Sequence, residues 1–532
     1  MSIERMDHPA VSLVQGHGID LPAQAARTRA RWLAGRQGRA PVLLVALLWA
    51  RDCPDVVQRL ERYLDEVFDD YRCTPQGWSE VQAARQVLAA LNQRLFFRQQ
   101  TGRSIPQLNA GLLLVQGDEV QFLQAGAIGL LRYQASGLHS LVGRDGMQLG
   151  MQAELALVQQ RLPLQPGEAL LLAPQPLLGV ADLQAFRTQC ETLCVDRLPT
   201  LLKPLLSAPG AAVLLLPGAA DSPPPVTARE QWPALSEAVA GMQLDGWTLL
   251  SSCAFGPPGR VFKARDGAGC EALLWLAEKA ADEAFWQREW ALRRSPLASL
   301  PQVVSSRQPR QHAFLLFELP APGMRSLNDW VAAHAPLDGQ SLLALLDQLI
   351  AAVRALQRRG MQGLWLSPQH ILVGDGGRLL LLPEHAALLP GVPRQGLPDE
   401  AIPLAPELRG EGRVDGRADQ FAVAALTYWL LCGRWPEVAC PEGGAQSRYV
   451  PLASFSGYLP AGWDGVLARA LAPQPGARFE ALSEFRQALQ HPLQHPVGVA
   501  RAHGWRRRRW QLALLATLTA QLLLGLWLSL SG

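Results

Sequence analysis

A chain of 532 residues is too long for a single hydrophobic core, which stops growing near about 250–300 residues, so two or more domains are expected. Hydrophobic residues at 48% and charged residues at 18% exclude a disordered polymer. A formal net charge of +3 excludes a global field for nucleic acid, and no nucleic-acid partner is expected. The basic residues are nearly all Arg, the only lysines being Lys203, Lys263 and Lys279. The 8 cysteines are scattered without a CxxC pair, and Cys190 with Cys194 lacks the further ligands a zinc site needs, so reduced cytosolic thiols are expected.

The amino-terminal residues 1–7 have no apolar signal core, and no secretion signal is expected. The apolar run 41–49 predicts a strand. Val56, Val57, Leu60, Leu64, Val67 and Phe68 recur at helical spacing, as do Val81, Val87, Leu88, Leu91 and Leu95. Further strands are predicted over 111–115, 120–123, 129–133, 169–173 and 212–216. Several strands with two long amphipathic helices predict an α/β sandwich over residues 1–217.

The stretch Gly218-Ala-Ala-Asp-Ser-Pro-Pro-Pro225 cannot continue a helix or a central strand, so 218–242 is predicted to be a Pro-rich linker. A second domain is predicted over 243–492. It opens with strand signals and turns helical after Ser341, where Leu342, Leu345, Leu346, Leu349, Val353 and Leu356 share one face. Residues 493–510 form a basic juxtamembrane segment ending in Trp505-Arg-Arg-Arg-Arg509-Trp510. The run 511–530 carries no charge and would be about 30 Å long as a helix, the thickness of a bilayer core. Arginines before it keep that side in the cytoplasm, and the tryptophans suit the interface. The expectation is a single-pass tail anchor in the inner (cytoplasmic) membrane, with both amino-terminal domains in the cytoplasm.

The segment Gly363-Leu-Trp-Leu-Ser-Pro-Gln-His370-Ile-Leu-Val373 resembles the catalytic loop of a protein kinase, His-Arg-Asp-Leu-Lys-Pro-Glu-Asn followed by an apolar strand. Under this resemblance Trp365 stands in place of the catalytic Asp and His370 in place of the magnesium-binding Asn. Ala254-Phe-Gly256-Pro-Pro-Gly259-Arg-Val261 resembles a Gly-rich loop that has lost its first glycine and gained prolines without amide donors. The following strand, 271–276, has no lysine where kinases hold phosphate. Glu289, at the place of the helix glutamate that pairs with that lysine, is expected to be solvated. The strand ending at Pro383 resembles the run into Asp-Phe-Gly, with Pro383 replacing the metal-binding Asp, or Glu384 if the match slides by one. Three further features resemble the kinase frame: Ala405-Pro-Glu407, the helix start holding Asp419, and Arg478, which the resemblance pairs with Glu407.

In the first domain, Tyr71-Arg-Cys-Thr-Pro-Gln-Gly-Trp78 and Ala90-Leu-Asn92 resemble bacterial fusions of a metal-dependent Ser/Thr protein phosphatase, a protein kinase and a membrane segment. Such phosphatases hold two manganese or magnesium ions through carboxylates. Here Ala127 and Gln175 stand at two of the Asp positions, and Asp52, Asp55 and Asp118 are expected to be solvated charges.

The resemblance implies an α+β multidomain protein: a phosphatase-like α/β sandwich, a two-lobed protein-kinase-like fold and one C-terminal transmembrane helix. With reactive groups missing at Trp365, His370, Pro383, Ala127 and Gln175, and only the remnant loop Gly256 and Gly259 for phosphate, no catalytic or metal site is expected. The expectation is therefore no enzyme and no cofactor. The chain reads as a membrane-tethered pseudophosphatase–pseudokinase, a signalling scaffold or regulator of unidentified cytosolic or membrane protein partners. One alternative is an active Ser/Thr kinase using ATP and Mg/Mn, with Glu384 or Asp375 on the metal and Lys263 or Lys279 on phosphate. Another is a small-molecule sensor whose cleft is lined by Trp275 and Trp365.

Overall fold

The computed structural model describes residues 2–100, 105–141, 147–191, 193–218, 226, 232–235, 237–308, 310–396, 404–411, 413–439, 449–455 and 462–494. The first half contains β1 (Ser2–His8), β2 (Val11–His17), β3 (Gln24–Leu33), β4 (Val42–Arg51), α1 (Val56–Cys73), α2 (Glu80–Gln100), β5 (Gln107–Gln116), β6 (Glu119–Ala125), β7 (Ile128–Gln134) and β8 (Gly137–Ser140). It continues with β9 (Val158–Pro163), β10 (Ala169–Pro174), α3 (Gln175–Val180), α4 (Leu183–Cys190), α5 (Leu198–Leu205) and β11 (Ala211–Pro217). These strands form two sheets, ordered β1-β2-β11-β10-β7-β8 and β3-β4-β5-β6-β9.

The sheets pack face to face, and helices cover both outer faces. β4 shows why its sequence is apolar at every position. Leu43, Val45, Leu47 and Trp49 enter the core between the sheets. Val42, Leu44, Ala46 and Leu48 share the opposite core with Leu60, Leu64 and Leu88 of α1 and α2. A strand buried on both sides reads as a continuous apolar run. β11 repeats the pattern, with Val213 and Leu215 facing the other sheet and Leu214 and Leu216 meeting Leu201, Leu202 and Leu205 of α5.

The second half opens with β12 (Gln243–Leu244), β13 (Trp247–Ser252), β14 (Val261–Asp266), β15 (Glu271–Leu276), α6 (Glu283–Arg293) and β16 (Phe314–Phe317). Its five strands form one antiparallel sheet in chain order. The helical part holds β17 (Arg325–Ser326), α7 (Leu327–His334), α8 (Gly339–Gln357), β18 (Gln362–Leu364), β19 (Ile371–Val373), β20 (Leu379–Leu381), β21 (Ala386–Leu388), α9 (Gly416–Cys432), α10 (Trp463–Ala470) and α11 (Leu482–Gln494). The Asp338 carboxylate caps α8 by accepting from the amides of Gln340 and Ser341, at 2.9 and 3.0 Å.

Among the described residues α8 is the one helix long and apolar enough to cross a membrane, and 50% of its apolar window is buried inside the protein. Leu342, Leu345, Leu349 and Val353 place it in the core of this lobe. The expected anchor over 511–530 lies outside the described residues, as does most of the linker.

The two halves meet where α1 packs on α6. Arg293 of α6 reaches Asp70 at 3.3 Å and Asp69 at 3.5 Å on α1. Arg94 of α2 bonds both Asp70 and Glu66 at 3.0 Å. Glu289 pairs with Arg293 at 2.7 Å and Arg310 at 2.9 Å. Burial pushes the Glu289 carboxyl upward, but the two guanidinium groups outweigh it and hold it at about 2. The expectation of a solvated Glu289 is thus corrected: it is fully buried in this seam and turned to its arginines.

Candidate functional site

The Gly-rich loop between β13 and β14 needs its two glycines for geometry, since Gly256 and Gly259 have φ of +73° and +70°. A Cβ on Gly256 would stand 2.7 Å from Cγ2 of Val261. The loop is pinned to the catalytic-loop segment, for the Gly256 amide donates to the Gln369 carbonyl at 3.0 Å. Directly across the β14–β15 ladder Val261 faces Trp275. The Trp275 indole meets the His370 ring edge-on at 5.5 Å, and Trp365 meets it from another direction at 4.9 Å. The two tryptophans expected to line a ligand cleft are therefore packed against His370, and all three are buried.

Glu384 sits at the centre of this cluster. Its carboxylate accepts from Arg260 at 2.5 Å and lies 3.7 Å from His370 Nε2. Arg288 of α6 donates to the Glu384 backbone carbonyl. Burial pushes the Glu384 carboxyl up, against the pull of Arg260 and Arg288. Burial also drives His370 down to about 4, helped by Arg260, and His385 to about 3, helped by Arg288. Both imidazoles are therefore neutral near pH 7. Trp365 Nε1, His370 Nδ1, Glu384 Oε2 and Arg288 Nε have no hydrogen-bond partner among the described residues. Of the two lysines considered for phosphate, Lys263 is engaged by Glu271 at 2.7 Å. Lys279 lines a ≈140 Å³ cavity with Glu384 and His385. Asp375, the other candidate metal ligand, pairs with Arg325 at 2.9 Å on the surface.

The surrounding frame is firmly built. Asp419 accepts from the Leu364 amide at 2.6 Å and from Gln357 at 2.7 Å, and burial raises its carboxyl to about 7. Arg478 grips Glu407 with two bonds, at 2.7 and 2.8 Å, and also donates to the carbonyls of Arg417, Ala472 and Pro473. Together these contacts fix β18, the loop after it and the turn that holds Glu407. Pro383 joins β20 to Glu384, so it is Glu384 that projects toward His370.

In the first domain the structure joins Ala127 and Gln175 by one backbone bond, the Gln175 amide to the Ala127 carbonyl at 3.0 Å. The Ala127 amide in turn donates to Asn109 Oδ1 at 2.9 Å. An alanine and a neutral amide do not fit a two-cation centre. Among the described residues no cluster of three His, Cys, Asp or Glu could hold a metal ion. Asp52 accepts from Gln107 at 2.7 Å. The Tyr71–Trp78 motif serves as a braced turn: buried Arg36 donates to the Tyr71 carbonyl at 2.7 Å, to Thr74 Oγ1 at 2.6 Å and to Glu80 at 3.1 Å.

Sequence reasoning missed Arg260 and Arg288, the two arginines that reach Glu384. Arg288 precedes Glu289, and one residue on a helix turns the side chain by about 100°. That turn decides which of the pair faces the cleft.

No family model matches the sequence. The chain is 30% identical over 214 residues to the Ser/Thr-protein kinase Pkn1 of Myxococcus xanthus, covering 36% of this chain and 29% of that protein. It is 33% identical over 153 residues to the Ser/Thr-protein kinase PknI of Mycobacterium tuberculosis, covering 28% of this chain and 24% of the relative. The chain therefore spans less than a third of the length of either relative. The solved PknI kinase domain aligns over 48% of this chain and 99% of its own, at 23% identity and a TM-score of 0.36. A Ser/Thr phosphatase of S. agalactiae aligns over 39% of this chain and 98% of its own, at 12% identity and a TM-score of 0.33.

Relatives named as Ser/Thr protein kinases overturn the expectation that the chain is not an enzyme. In the cleft the expected Asp position is Pro383, and the next residue, Glu384, brings its carboxylate to 3.7 Å from His370 Nε2. Over about a third of its length, this chain is related to bacterial Ser/Thr protein kinases.

Proposed function

We propose that the chain is a membrane-tethered signalling protein of the Ser/Thr kinase type that regulates partners through protein contacts made by two joined domains. The observation carrying this reading is the buried seam. Asp69 and Asp70 of the first domain meet Arg293 of α6, and Arg94 of α2 donates to the Arg293 carbonyl, so the halves present their surfaces as one unit. The Asp419 and Glu407–Arg478 contacts brace the helical lobe of the second domain. The tether rests on the uncharged run 511–530 and the arginines before it.

A second reading, phosphoryl transfer to Ser/Thr, is favoured by the kinase relatives and by Glu384. Glu384 is the one buried carboxylate of the cleft cluster, and its Oε2 lacks a partner among the described residues. In this reading Glu384 would hold the magnesium or manganese that ATP brings, and Lys279, which lines the same cavity, would offer a cation to phosphate.

Incubation of the full chain with γ-labelled ATP, Mg²⁺ or Mn²⁺ and a Ser/Thr protein substrate tests both. Transfer that is lost in Glu384→Gln, with a metal-dependent rise in Tm by ATP, establishes the second reading. Transfer that survives Glu384→Gln overturns the site. No transfer and no shift leaves protein contacts as the output.

A further inference from the structure

Helix α6 sends contacts in two directions. Toward the first domain, Arg293 meets Asp70 and Asp69, and its carbonyl accepts from Arg94 at 3.3 Å. Toward the cleft, Arg288 donates to the Glu384 carbonyl, and the carboxylate of the same Glu384 meets Arg260. The His385 carbonyl next to it accepts the Trp365 amide at 3.1 Å. A chain of direct contacts thus runs from α1 through one helix to the catalytic-loop segment.

Two further features bear on this path. Trp232 fills the seam, with Arg72 of α1 over its ring at 5.5 Å, Arg310 at 4.5 Å and Trp286 of α6 in edge contact at 4.6 Å. Residues 383–407, from Pro383 to the end of the Ala405-Pro-Glu407 motif, contain no Ser, Thr or Tyr. That stretch therefore offers no hydroxyl for a regulatory phosphate.

We propose that the first domain works as a built-in regulatory subunit of the second: α1 and α2 hold α6 in place, and through Arg288 this sets the position of Glu384. The path replaces the missing phosphorylation handle with a fixed interdomain contact. The inference rests on the reading that the cleft is the working site, but its test uses no nucleotide, so a chain that fails to bind ATP does not decide it.

The test is amide exchange and thiol labelling on the full chain carrying Asp69→Asn and Asp70→Asn. Cys73, at the end of α1, is wholly buried and reports opening of the seam. Labelling of Cys73 and exchange across α6 should rise about tenfold, and exchange of the Trp365 amide and of β21 should rise with them. A Cys73 that becomes reactive while Trp365 and β21 exchange as before overturns the proposal. Arg288→Met provides a second cut that leaves the seam intact. It should speed exchange at Trp365 and β21 with Cys73 still unreactive, and unchanged exchange there again overturns the proposal.

Discussion

The seam between the domains and the kinase-like cleft are built from similar material, buried carboxylates beside arginines, but they are finished differently. In the seam, Asp70 lies between Arg94 and Arg293, and Glu289 lies between Arg293 and Arg310. Every one of these carboxylates has opposite charge on two sides. In the cleft, the Glu384 carboxylate has one close guanidinium and two neutral imidazoles around it. Compensated buried charge fixes a geometry, and breaking it is costly. An under-compensated cluster gains from any ligand, proton or movement that satisfies it. The contrast separates a rigid joint from a place where change is cheap.

The largest effect should come from breaking the joint. Arg293→Met leaves carboxylates on both sides of the seam short of a cation and should destabilise the full chain by about 3–5 kcal/mol in denaturant unfolding. Glu384→Gln, by contrast, keeps the side chain's shape and leaves only Arg260 short of its carboxylate, so it should cost less than Arg293→Met in the same experiment. Equal costs for the two variants would dissolve the distinction between joint and cleft.

A pH titration sharpens the same comparison. His370 and His385 are held neutral at about 4 and about 3, below the free value, so the unfolded chain binds protons that the folded one refuses. The folded chain therefore loses stability as pH falls below about 6.5, by about 1.4 kcal/mol per pH unit for each histidine, down to about pH 4 for His370 and about pH 3 for His385. Asp419 acts with the opposite sign, since its raised carboxyl gives stability that fades as pH rises toward about 7. His385→Phe should therefore flatten the fall of Tm below pH 6.5, and Asp419→Asn should steepen it.

The smallest effect concerns single indoles. Trp463 donates its Nε1 to the Leu489 carbonyl at 2.9 Å, whereas Trp365 Nε1 has no partner among the described residues. Removing a satisfied donor strands its acceptor, and removing an orphan relieves a penalty. Trp365→Phe should thus cost about 1 kcal/mol less than Trp463→Phe in the same melting experiment.

Much of the first domain was readable because its strands are buried on both faces, as the runs at 42–51 and 211–217 show. β3 was not readable, because Arg27, Arg29 and Arg31 alternate along it and mimic an exposed segment. In the structure Arg27 and Arg29 lie against α1, where they pair with Glu61 and Asp65. β1 is largely exposed and carries no apolar period to detect. In the second domain the positions of Glu407, Asp419 and Arg478 were visible as a spaced set of motifs. The cleft's cations were not, since Arg260 and Arg288 bear on Glu384 only through tertiary placement. Which member of the adjacent pair Arg288 and Glu289 faces the cleft depends on helix rotation, a quantity that no motif records.

The seam also changes what the polypeptide connection between the halves has to do. With α1, α2, Trp232 and α6 sharing one buried surface, covalent continuity through 218–231 is not what keeps the two domains together. A chain nicked there would behave as a two-piece complex rather than as two free proteins, and its halves would unfold as one cooperative unit.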